Sequence, residues 1–276
     1  MGREYRKTVE NLRKLDMPDD WRLSWPDYLK MGLSEEDIPD LIHLATDMEL
    51  LLQEEDEPEV WGPVHAWRAL GQLKAQEAVE PLLNLFHVEE SVDWIFSEIP
   101  MVISLIGPTV IPVLKKHVQR TYPVDRIIVS ILECLFHIAR DHPDKEKEII
   151  DFYLSMLKSF ETQTPYLNSF LIWFLIDLDA RDAIPVMEQA FEAGIVDETI
   201  VGDWEEVQID LGLLERRISP QRDYFWDRLN RLSVTENKQS TEERKKSLHR
   251  KAEKKKAKRK MAKSSRKKQK KKNGKR

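Results

Sequence analysis

The chain has 276 residues, a hydrophobic content of 41%, one cysteine and a formal net charge of −5. That apolar fraction is enough for a substantial core, while the lone Cys134 excludes an internal disulfide and any multi-cysteine metal site. The charge is unevenly divided: residues 241–276 hold 20 Lys+Arg against 3 Asp+Glu, a net of +17, and residues 1–240 hold the other 24 basic and 46 acidic residues, a net of −22. Such asymmetry reads as an acidic folded body carrying a basic interaction tail.

At the N-terminus, MGREYRKTVENLRK has no apolar segment of the secretory kind, and Arg6 stands where a myristoylation signal needs Ser or Thr. The most apolar windows, 127–139 and 167–178, are interrupted by Glu133 and Asp177 and are too short to cross a bilayer. The expectation is a cytoplasmic protein with no membrane partner.

Residues 1–57 read as an irregular helical region. Ser34, with Asp37 reaching back, caps a helix whose stripe is Ile38, Leu41, Ile42 and Ala45. EEDEPE at 54–59 then reads as an exposed loop. Residues 58–194 read as helical hairpins. In the first, Ala66, Trp67, Leu70 and Leu73 share one face, and Val79, Leu82, Leu83 and Phe86 share a face of the return helix. In the second, Val92, Ile95, Phe96, Ile99, Val102, Ile103 and Ile106 keep helical spacing, with a kink expected at Pro100 and a stop at Gly107-Pro108. Its return helix carries Val110, Val113, Leu114 and His117.

The third hairpin is predicted to open at Pro123, to turn Val124, Ile127, Ile128, Ile131, Leu135 and Ile138 inward, and to end at 140–143. Its return helix is expected over 146–160, without a first-turn proline, and with Ile150, Tyr153, Leu154 and Leu157 inward. A fourth hairpin runs from Pro165 through LNSFLIWFLIDL, turns at 179–182 and returns over 184–193. Residues 195–234 read as a helical cap, with helices at 203–214 and 221–232, and 235–276 as a tail that is disordered or partly helical.

The return helices echo one another. AVEPLL at 78–83, TVIPVL at 109–114 and DAIPVM at 182–187 each place a proline in the first helical turn, and Ile38-Pro39 repeats the pattern. Spacings of about 31 to 40 residues, with no competing strand signal, predict an all-α fold, an α-α superhelix built from two-helix repeats. On the signature A-x-x-A-L-G-x-L at 66–73 and the A-V-E-P-L-L element after it, residues 60–119 and 178–194 resemble the HEAT-like repeats of the phycobilisome-lyase type. The whole chain more loosely resembles an uncharacterised group of bacterial HEAT-repeat proteins. The resemblance implies a scaffold or adaptor, or alternatively an accessory subunit in attaching phycobilin-type chromophores.

Motifs of catalysis are missing: there is no Walker A loop, G-x-G-x-x-G, G-x-S-x-G or H-E-x-x-H, and no His precedes a Glu. Glu133, His137 and Asp141, with His142 adjacent, share one helical face at ligand-like spacing, but Arg126, Ser130 and Arg140 lie near it, and the stripe reads as solvated. His117 reads as a near-core residue with a polar partner, and Cys134 as a packed thiol. Trp67 and Trp173 read as core wedges; Trp94, Trp204 and Trp226, beside aspartates, read as helix-end packing or as half-exposed groove aromatics. The expectation is therefore no enzyme, no cofactor and no metal.

Second helices of two-helix repeats line the inner face of a solenoid, which makes Glu77, Glu80, Asn84, Lys115, Gln119, Glu188 and Glu192 the candidate surface for a protein partner. The tail offers Lys254, Lys255, Lys256, Lys258, Arg259, Lys260, Arg266, Lys267, Lys268, Lys270, Lys271 and Lys272 to an anion. Without interleaved aromatics, its affinity for RNA, DNA or the ribosome would be sequence-blind and salt-dependent. A solubility tail, an import-like basic run and an arm that folds onto the acidic body are further readings.

Overall fold

The structure is a computed structural model and describes residues 5–17, 25–53, 58–88, 93–120, 122 and 124–220. The chain divides into two units, 1–218 and 219–276. The first unit is all-α, with no strand among the described residues.

Chain order gives α1 (Lys7–Glu10), α2 (Ile38–Ala45), α3 (Met48–Leu51), α4 (Gly62–Gln72), α5 (Val79–Asn84), α6 (Asp93–Ile106), α7 (Ile111–Val118), α8 (Asp125–Asp141), α9 (Pro143–Leu157), α10 (Pro165–Asp177), α11 (Ile184–Glu192), α12 (Glu198–Val201) and α13 (Trp204–Asp210). The leading helices pack in sequence, α4 on α6, α6 on α8 and α8 on α10, while α7 and α9 lie against α8 and α9 also touches α10. The result is solenoid-like, with one continuous apolar interior from Val9 to Leu211.

One local device recurs. A three-residue 3₁₀ turn precedes α2, α5, α7 and α11, at Glu35–Asp37, Gln76–Ala78, Pro108–Val110 and Arg181–Ala183. In α2, α7 and α11 an Ile-Pro pair opens the helix, and in α5 the proline comes third, as Pro81. Proline fits there because first-turn N–H groups have no helical acceptor to lose. A left-handed residue sets up each turn: Gly32, Lys74, Gly107 and Asp179 all have positive φ. Ser34 and Asp37 form the expected capping box, Ser34 N–H donating to Asp37 Oδ2 at 2.9 Å.

Gly71, inside α4, has a different role. A Cβ there would lie 3.2 Å from the Val102 carbonyl and 3.3 Å from Leu105 on α6. Its missing side chain is what lets α4 and α6 approach so closely.

Several expected positions change. The expected Ile38–Ala45 stripe falls on α2, and the chain then breaks at Thr46-Asp47, where Asp47 caps α3 by accepting from Glu49 and Leu50 N–H. Pro58 and Glu59 belong to a 3₁₀ turn, Pro58–Trp61, and not to an open loop. Residues 62–71 are buried all round, so α4 has no wet face. The return helix after α8 begins at Pro143, after a single linking residue, His142, so this hairpin has its first-turn proline after all. Val124 is 54% exposed because it is the extended residue before α8, where helical periodicity does not apply. Trp173 is 40% exposed. On a helix apolar nearly all round, periodicity cannot tell which large side chain faces out. The expected helix at 203–214 is shorter, Trp204–Asp210, capped by Asp203 and Glu206.

Candidate functional site: the second-helix surface

Along α5, α7 and α9, apolar side chains such as Leu82, Leu114 and Tyr153 turn inward, and the polar residues between them are left on the outer faces. Glu77, Glu80, Asn84, Gln119, Glu188 and Glu192 are all exposed, and Lys115 is half-buried. The structure joins three neighbouring helices through two of these residues. Glu80 Oε2 on α5 lies 2.8 Å from His117 Nε2 on α7, and Lys115 Nζ on α7 lies 2.8 Å from Glu148 Oε1 on α9. Lys115 also sits 5.2 Å from the centre of the Phe152 ring. These contacts do not extend to Glu188 and Glu192, which stand exposed on α11. The surface is not uniformly acidic, because α7 contributes Lys115, Lys116 and, just beyond it, Arg120.

His117 is buried, as its near-core reading expects, and polar partners surround it. Its Nδ1 lies 3.0 Å from the Tyr122 hydroxyl and 3.2 Å from Arg120 Nη1. Both of those groups can donate, which fits Nδ1 as acceptor and Nε2–H donating to Glu80. Burial pushes the Tyr122 phenol up, with Arg120 opposing. The hydroxyl therefore keeps its proton and can donate to Nδ1, and the cluster clamps α5 to α7.

Beside Glu77 the surface is indented. A groove of about 610 Å³ runs between α2 and the turn before α5, lined by Glu35, Ile38, Pro39, Ile42, Leu73, Lys74, Ala75, Gln76 and Glu77. Ile42 and Leu73 are half-buried in its wall.

Sequence reasoning missed a buried polar cluster. Arg68 on α4 makes a two-pronged ion pair with Glu98 on α6, both sealed from solvent, and its guanidinium lies 4.9 Å from the centre of the Trp25 ring. Tyr28 OH lies 2.8 Å from His65 Nδ1, and His65 Nε2 lies 3.0 Å from the Asp16 carbonyl. Gln72 Oε1 accepts from Tyr28 N–H, and Gln72 Nε2 donates to the Pro26 carbonyl. Burial raises the Glu98 carboxyl despite Arg68, and it lowers His65. The cluster pins residues 25–28 onto α4. The sequence signal was present: Arg68 and Glu98 are single charges within otherwise apolar stretches.

The Glu133, His137 and Asp141 stripe lies along α8. His137 Nε2 and Glu133 Oε1 are 3.8 Å apart and Asp141 is exposed, and among the described residues no group of three His, Cys, Asp or Glu is placed to hold an ion. His137 lies 5.5 Å from the Phe136 ring, and Phe136 in turn meets Trp173 of α10 at 5.8 Å. Cys134 is buried, its Sγ–H donating to the Ser130 carbonyl, and burial raises its thiol well above the usual value. Trp94 packs edge-on to Trp61 and Trp204 lies against Phe191, both half-buried.

Trp226, the expected helix at 221–232 and every basic tail residue named above lie outside the described residues. No single helix among the described residues is long and apolar enough to cross a membrane. Comparison of the chain with protein-family models, with curated proteins and with solved structures finds no match.

Proposed function

We propose that this protein is a non-enzymatic adaptor that holds a protein partner on the outer faces of its second helices. The observation that carries the reading is the pair of cross-helix contacts, Glu80 to His117 and Lys115 to Glu148. They tie α5, α7 and α9 into one surface while leaving Glu77, Asn84 and Gln119 exposed. A surface fixed before binding loses less conformational freedom on association, and its charges set partner choice and encounter rate more than final affinity. The test is affinity capture with the full chain as bait, beside a variant carrying Glu77→Lys, Glu188→Lys and Glu192→Lys. A partner retained by the parent chain and lost by the variant is the expected result; equal retention by both removes this surface from the function.

A second reading rests on the net charge of +17 in residues 241–276. A tail of this kind would carry the adaptor to RNA, DNA or the ribosome through phosphate contacts, each adding about −0.9 to the logarithmic salt slope on duplex nucleic acid. Deleting residues 241–276 should then abolish binding of mixed-sequence RNA. Undiminished binding by the shortened chain rules the reading out.

A further inference from the structure

The groove between α2 and the turn before α5 combines three features. Its lining is mixed: Ile38, Pro39, Ile42, Leu73 and Ala75 supply apolar surface beside the polar Glu35, Lys74, Gln76 and Glu77. Its volume of about 610 Å³ falls in the range of about 300–1,000 Å³ typical of pockets that take small ligands or a few side chains. Two carboxylates, Glu35 and Glu77, stand on its two sides, exposed and with no ion-pair partner among the described residues.

Neighbouring carboxylates are already engaged. Arg6 binds Glu36 at 2.9 Å, and its backbone N–H donates to Asp40 at 3.0 Å. Asp37 accepts from Thr8 and Ser34. Glu35 and Glu77 are thus left to face a ligand, against one basic lining residue, Lys74. Lys74 owes its place to a left-handed backbone, φ 53°, with its N–H donating to the Gly71 carbonyl and the next N–H, from Ala75, to the Leu70 carbonyl. The turn is therefore fixed, and so is this wall of the groove.

We infer that the groove is a docking site for a short peptide segment presenting an apolar side chain between basic residues. The inference rests on the adaptor reading and narrows it to one end of the second-helix row. The apolar side chain enters between Ile42 and Leu73, and Lys or Arg on either side pairs with Glu35 and Glu77. Each exposed pair adds modestly, so charge reversal at one carboxylate should weaken binding about five-fold.

The experiment titrates the full chain, labelled with ¹⁵N, with three synthetic peptides: Lys-Lys-Leu-Pro-Leu-Lys-Lys, the same peptide with glutamates for lysines, and the same with serines for its three central residues. Shifts of the amide signals of residues 35–42 and 73–77 with the first peptide alone are expected. The variant Glu35→Lys with Glu77→Lys should weaken that binding more than ten-fold, and Lys74→Glu should strengthen it about five-fold. Equal response to the serine or glutamate peptide, shifts confined to other residues, or no shift at millimolar peptide overturns the inference. If the charge-reversed variant keeps the parent's shift pattern at other signals, its loss of binding reflects the site and not unfolding. The two proposals fail separately. A captured partner lost on Glu188→Lys and Glu192→Lys but kept by the groove variant sinks the groove and leaves the adaptor, whereas peptide binding in the groove without any captured partner does the reverse.

Discussion

Arg68 and Glu98 face each other across the contact of α4 with α6 in an ion pair closed to solvent, with side-chain exposures of 1% and 0%. One prong runs from Arg68 Nε to Glu98 Oε2 at 2.9 Å, and the second joins Nη2 to Oε1. Removing water from both charges offsets much of their attraction, and burial still holds the Glu98 carboxyl above its usual range. The pair therefore fixes which faces of α4 and α6 meet more than it adds net stability. Arg68→Ala or Glu98→Ala leaves a buried charge without its partner and should destabilise by about 3–5 kcal/mol. Arg68→Met combined with Glu98→Leu should recover most of that loss. Urea unfolding of the three variants decides it, and a double variant as unstable as the worse single one would show that the charges themselves are needed.

His65 predicts a pH dependence. Burial, chiefly, keeps the folded ring harder to protonate than the free side chain, the bond to the Asp16 carbonyl opposes this, and the Arg68 charge adds to it. The unfolded ring takes up its proton near pH 6.5, so below that value the unfolded state binds more protons. Stability from this group is complete above pH 6.5 and falls as the pH drops below it, by at most about 1.4 kcal/mol per pH unit. Glu98, with a raised folded value, works the other way: its contribution is full below the unfolded value near 4.5 and is lost as pH rises through the folded one. Thermal unfolding at pH 7.5, 6.5 and 5.5 should show the fall for the parent chain and a flatter profile for His65→Gln. Parallel profiles would assign the acid sensitivity to other groups.

A gain in stability is expected at Lys74. Its positive φ of 53° crowds the Cβ against the backbone and costs about 1 kcal/mol or more. Lys74→Gly removes that strain, while glycine's greater freedom in the unfolded chain takes part of the benefit back. The net effect should be about 0.5 kcal/mol of added stability in urea. Asp179, at φ 47° in the equivalent turn, tolerates the conformation better and is 3.1 Å from Arg181, so Asp179→Gly should add nothing. A loss of stability on Lys74→Gly would mean that the lysine side chain itself supports the turn.

Much of this fold was legible because the repeat is marked by chemistry as well as by period. The proline of Pro39, Pro81, Pro112 and Pro185 is favoured in a first helical turn, so α2, α5, α7 and α11 could be placed from the sequence. Pro143 does the same for α9, but it follows Asp141-His142 in place of an apolar residue, and the polar run read as a loop. The candidate surface was legible as a set of faces only. That Glu80 would meet His117, and Lys115 would meet Glu148, depends on how the hairpins stack, and no spacing within one helix encodes it. The Arg68–Glu98 pair was only half legible: a single charge within an apolar stretch signals burial, but only tertiary contact shows which partner has left water with it.

Trp67 and Trp173 carry that lesson into a measurement, since both sit in apolar helices and their sequence surroundings point equally to the core. Trp67 is fully buried, and its indole N–H donates to the Ala45 carbonyl at 2.7 Å. Trp67→Ala opens a cavity beneath α2 and strands that carbonyl, and should cost about 3–5 kcal/mol. Trp173 is 40% exposed and rests on Phe136, Phe170 and Phe174 at ring separations of 5.3–6.3 Å. Truncating it removes one partly wet layer of aromatic contact and should cost about 1 kcal/mol. Guanidinium unfolding of the two variants gives the comparison. If Trp173→Ala proved as damaging as Trp67→Ala, the outer face of α10 would have to be covered in solution, and the ring would be part of a buried contact after all.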